Sequence, residues 1–134
     1  MDIIEDCKFI FAFIGGILGW IFGGFDPLIY ALTAFVAIDY ITGILLAIHD
    51  KKISSEVGYK GIVKKFLIFM IVSMGNILDT YILGTGSTLR TLVIIFYLTN
   101  EGFSILENAG QLGLPIPKKL RDAIQKLNNG NELD

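Results

Sequence analysis

Four apolar stretches, each about long enough to cross a bilayer, take up most of this 134-residue chain: residues 9–25, 27–48, 66–83 and 89–108. A hydrocarbon core of ~30 Å requires roughly 20 predominantly apolar residues as a helix, and little chain remains for a soluble domain. Composition agrees: 53% of residues are hydrophobic, 18% are charged and mean hydropathy is +0.64, against about 25% charged in ordinary soluble domains. The predicted fold is an all-α integral membrane protein, with residues 1–134 as one membrane domain. It has four transmembrane helices, or three if the first stretch does not cross. The lone cysteine, Cys7, excludes an intramolecular disulfide.

The first stretch is not read as a cleaved secretory signal. Its start is acidic (Asp2, Glu5, Asp6) and no small-x-small cleavage site follows. The distribution of lysine and arginine then sets the topology. The segment 49–65 holds Lys51, Lys52, Lys60, Lys64 and Lys65, the tail 109–134 holds Lys118, Lys119, Arg121 and Lys126, and the short connectors 24–27 and 84–88 hold none. With four spans, the middle loop and both termini face the cytoplasm and only Arg90 lies near the outer face. Three spans place Lys8 outside and still satisfy the rule.

Each span carries something besides apolar residues. Span one places Gly15, Gly19 and Gly23 at four-residue spacing, a smooth face for close helix approach; oligomerisation and packing within the subunit both fit it. Asp39 sits midway along span two, with Gly43 one turn on. A carboxylate there costs ~2.5–3.5 kcal/mol on insertion scales, so it should face protein or water. Asn76 and Asp79 lie on span three, Asp79 near the outer end, where interfacial water is in reach. Span four is the most polar: Arg90, Tyr97, Glu101, Ser104 and Asn108 share one face, widened by Asn100 and Glu107. Such a stripe must be hidden in a bundle or face a water-filled cavity. The predicted pore or gating set is thus Asp39, Asn76, Asp79, Arg90, Asn100, Glu101, Ser104 and Glu107. The expected partner of Arg90 is Asp79, across the 84–88 turn, or lipid phosphate.

Gly110, Gly113, Pro115 and Pro117 end span four. A short amphipathic helix follows, with Leu120, Ile124 and Leu127 on one side and Lys118, Lys119, Arg121 and Lys126 on the other. This pattern suits an anionic inner leaflet, and Lys51, Lys52, Lys64 and Lys65 are expected to contact the same leaflet. The last residues, NNGNELD, read as disordered. No catalytic constellation, metal-ligand cluster or phosphate-binding loop is legible, so no enzyme activity, cofactor or metal is expected. The basic residues abut the membrane, so nucleic acid is not an expected partner.

Three stretches in order resemble the clostridial toxin-secretion and phage-lysis holin family: DYITGILLAI from Asp39, KKISSEVGYKGIVKK from Lys51 and EGFSILENAGQLGLPIPKKL from Glu101. The resemblance spans roughly residues 37–127. It implies a multi-pass protein of the bacterial cytoplasmic membrane that oligomerises with itself and opens lesions releasing an endolysin or a toxin. The residues alone leave two rivals open: a small ion-conducting channel, and a non-conducting anchor or assembly factor for a soluble partner.

Overall fold

The computed structural model describes residues 2–133, with side-chain surroundings for residues 2–129. Five α-helices follow in order: α1 (Ile3–Phe22), α2 (Pro27–His49), α3 (Ser55–Ile77), α4 (Thr88–Gln111) and α5 (Lys118–Leu133). A π-helical segment, Leu78–Leu83, prolongs α3. The local chemistry of each boundary is plain. Asp26 caps α2, accepting the Ile29 N–H at 3.0 Å, and Pro27 occupies the first helical position. Ser54 caps α3 through the Val57 N–H. Left-handed Gly84 and Gly86 turn the chain into α4, and left-handed Gly113 with Pro115 and Pro117 separates α4 from α5.

The core is narrow. Ile29, Leu32 and Val36 of α2, Ile68 and Val72 of α3, and Ile94 and Leu98 of α4 meet at helical spacing. α4 is the central helix, packed along α2, α3 and α5, whereas α2 and α3 touch each other little. The α1–α2 and α3–α4 turns lie at one end of the bundle. The α2–α3 loop and the α4–α5 linker lie at the other, the tail end.

Among the described residues, three helices are long and apolar enough to cross a membrane: Pro27–His49, Ser55–Leu83 and Thr88–Gln111. The expected first span is not among them. α1 has 20 residues, but Glu5, Asp6 and Lys8 fall in its first two turns, leaving about 21 Å of apolar helix at 1.5 Å per residue. The third span begins at Ser55 rather than 66, so the expected loop 49–65 shrinks to residues 50–54. Lys60, Lys64 and Lys65 are therefore helical, and Lys60 pairs with Glu56 one turn back. Helix α5 continues to Leu133, so the tail expected to be disordered is helical up to that residue; Asp134 lies outside the described residues.

Candidate functional site

Two polar clusters tie the helices together. The first lies between α2, α3 and α4. The Lys65 ammonium donates to the Asp39 carboxylate and, at 2.6 Å, to Glu101. One cation from α3 thus bridges an acid on each of the other two spans. All three side chains are largely withdrawn from the surface: that of Lys65 is 20% exposed, and those of Asp39 and Glu101 are 9% and 7%. Asn108 adds a second α2–α4 tie, its amide donating to Asp39 Oδ1 at 3.2 Å and to Thr42 Oγ1 at 3.0 Å. Gly43 lies beside that amide, with Asn108 Nδ2 at ordinary van der Waals distance, 3.8 Å, from where a Cβ would stand.

The cluster borders a cleft of about 660 Å³ between α2 and α3, floored by α4. Tyr97, Asn100, Ser104 and Asn108 line it from α4, and Lys64, Lys65 and Gly61 from α3. Tyr40 reaches across from α2. Its hydroxyl lies 3.4 Å from the Gly58 carbonyl, and a Cβ on Gly61 would press its ring at 3.1 Å. Since α2 and α3 barely pack, Tyr40 and the Lys65 bridge are their main ties along this seam.

The second cluster fastens the opposite end. Arg90 is 3% exposed. Its Nε donates to the Phe22 carbonyl, Nη2 to the Gly24 carbonyl at 3.1 Å, and the guanidinium fork grips Asp26 at 2.7 and 3.1 Å. Asn76 donates to the Trp20 and Ile21 carbonyls at 3.2 and 3.0 Å. Together they satisfy three of the open carbonyls that end α1, where a cation is also favoured by the helix dipole. Gly23 makes this possible: its φ is +81°, and a Cβ there would collide with Asn76 and Arg90. The Arg90 guanidinium beside Asp26 holds that carboxyl below its ordinary value of 3.8. Asp79, expected near interfacial water as the partner of Arg90, is 1% exposed and does something else. It accepts the Thr85 hydroxyl and the backbone N–H groups of Leu89 and Arg90 at 3.0 and 2.9 Å, capping α4.

The structure thus brings Asp39, Glu101, Ser104 and Asn100 to one cleft, and Asn76, Asp79 and Arg90 to the other end of the bundle. Glu107 joins neither; it is exposed and accepts from Gln111 on its own helix. Gly15 has open space where a side chain would be, while Gly19 faces Phe25. Lys65, expected at the leaflet surface, is the centre of the ion cluster. Lys51, Lys52, Lys64, Lys118, Lys119, Arg121 and Lys126 are exposed. Asp26 and Lys65 were not among the expected gating residues. Asp-Pro before an apolar run signals a helix cap, and Lys65 stands seven residues before Val72 and fourteen before Asp79, on their face.

The fold and these clusters define a small helical membrane protein whose spans carry opposed charges against one another. The sequence profile of the Bacteriophage holin family matches residues 16–129. A probable holin of Bacillus phage phi105 is 36% identical over 95 residues, covering 71% of this chain and 70% of that protein. Two Clostridium perfringens proteins are 41% identical over 121 residues (90% of each chain) and 39% identical over 128 residues (96% of this chain, 97% of the other). No solved structure matches. The chain belongs to the bacteriophage holin family, which is not an enzyme family.

Proposed function

We propose that this chain is a holin that oligomerises in the bacterial cytoplasmic membrane and opens lesions through which an endolysin or a toxin leaves the cytoplasm. Beside family membership, the observation that carries the reading is the Lys65 bridge between Asp39 and Glu101. A 14.8 kDa subunit cannot enclose a protein-sized hole, so many copies must. Each copy then needs polar surface that is hidden when closed and wetted when open. The Asp39–Lys65–Glu101 cluster, beside a cleft at the weakest seam of the bundle, is such a surface. With the bridge closed the charges satisfy one another; with the seam parted they face water.

The positive-inside rule places the α2–α3 loop and the tail in the cytoplasm. Lys51, Lys52, Lys118 and Lys119 then stand near an anionic leaflet. α1 is proposed as a short fourth membrane helix with its acidic start on the cytoplasmic side. Phe9, Ile10, Phe11, Phe13 and Ile14 are exposed over a little more than half of its circumference, a surface for acyl chains, and Gly15 and Gly19 lie on the remaining face. Gly15 leaves open a flat patch for a neighbouring copy. The test is induced expression in a bacterium with viability, escape of a small dye and escape of a cytosolic enzyme followed together. Abrupt death with enzyme release supports the holin. Dye release alone supports a narrow channel, and healthy impermeable cells with the protein in the membrane support an anchor.

A further inference from the structure

We propose that the side of α4 on which α5 lies faces water in the assembled protein, so that the α4–α5 hairpin forms a wetted wall of the lesion. The starting observation is a seat for α5. Ile124 is buried, and a Cβ added to Gly102 of α4 would come within 2.6 Å of Ile124 Cδ1 and 3.3 Å of the Phe35 ring of α2. Ile124, at the middle of the apolar side of α5, is therefore seated on the α2–α4 seam, in a notch that exists because residue 102 has no side chain, while Leu120 and Leu127 on either side of it stay exposed.

The depth of that seat decides what surrounds it. Gly102 lies about 14 Å inside the C-terminal end of α4 at 1.5 Å per residue, level with Glu101 and well within the hydrocarbon thickness of ~30 Å. Beside Ile124, α5 presents Arg121, Asp122, Gln125 and Lys126, all exposed. Charged groups at such depth must face protein or water, and these do not face protein. Elsewhere at this level Ile41 and Leu45 of α2 and Phe66, Met70 and Met74 of α3 are exposed and apolar, a surface suited to acyl chains, while the exposed Lys64 borders the cleft. One flank of the subunit thus meets lipid and the flank bearing α5 meets water.

This inference rests on the lesion-forming reading, and the experiment keeps the two apart. The full chain, with Cys7→Ser, is reconstituted into phosphatidylethanolamine–phosphatidylglycerol vesicles holding an entrapped enzyme. One variant carries Phe35→Cys with Ile124→Cys; a second carries a spin label at Gln125→Cys and a third at Ile41→Cys. The expected result is disulfide formation between positions 35 and 124, and at least tenfold more collision of the 125 label than of the 41 label with a water-soluble nickel chelate. A 125 label as shielded from the chelate as the 41 label overturns the inference. So does an unlinked pair with the 125 label at headgroup depth. Enzyme release with a shielded label refutes the inference alone. A wetted label without release refutes the lesion reading alone.

Discussion

Replacing Lys65 by methionine keeps an unbranched side chain, one atom shorter, and removes its charge. Asp39 and Glu101 are then left facing each other without a counter-ion, on helices that α3 no longer ties together. Breaking a buried ion pair by removing one partner costs about 3–5 kcal/mol. Here the lysine side chain is 20% exposed and the acids 9% and 7%, so the low end, about 3 kcal/mol, applies. At 1.4 kcal/mol per tenfold, the closed arrangement loses about two orders of magnitude in population relative to the parted one. Lysis should start earlier after induction than with wild type at matched membrane abundance, read as the time to loss of viability and to enzyme release. The triple variant Lys65→Met, Asp39→Asn, Glu101→Gln removes the opposed carboxylates as well and should shift onset back toward wild type, since neutral replacement of a whole buried network is often tolerated. A Lys65→Met protein that reaches normal abundance and lyses on the wild-type schedule, or later, refutes the reasoning.

Other expectations follow from the same contacts. Asp39→Asn with Glu101→Gln strands the Lys65 charge and should also change lysis onset; an unchanged onset removes the acids from gating. Asp79→Ala deprives the Leu89 and Arg90 amides of their acceptor in a buried site and should cost about 2–3 kcal/mol of stability in detergent, with faster hydrogen exchange at those two amides. The Asp26–Arg90 pair has a defined pH window. The folded carboxyl titrates below the ordinary value of 3.8, so its stabilisation is complete above that value and is lost as pH falls through the lower folded one. The Tm gap between wild type and Asp26→Asn should stay constant from pH 8 to pH 5 and close in stronger acid.

The sequence carried much of the fold in its hydropathy. The second span is legible to within one residue because Asp-Pro marks its start, and the fourth to within three because Gly110 and Gly113 announce its end and the helix runs on to Gln111. The third was cut short because Lys60, Lys64 and Lys65 read as a loop, although Ser54 and Glu56 signal a helix start and Lys65 continues the face of Val72 and Asp79. α1 runs over Ile3–Phe22 rather than 9–25, because Asp2 caps the helix ahead of the apolar run and left-handed Gly23 ends it before Phe25. The pairing of Arg90 with Asp26 rather than Asp79 was beyond reach. It depends on the left-handed turn at Gly23 delivering the end of α1 to the start of α4, a tertiary event. The docking of α5 on Gly102 depends likewise on a notch shared by two helices.

The central claim is that the α2–α3 seam parts when lesions open, and bridging that seam tests it most directly. In a Cys7→Ser background, Tyr40→Cys and Gly61→Cys face each other across the cleft mouth and leave the Asp39–Lys65–Glu101 cluster intact. A short reducible bis-thiosulfonate should join them and abolish enzyme release from vesicles, and reduction should restore it. Bridged protein that releases enzyme as fast as the unbridged form would contradict the account.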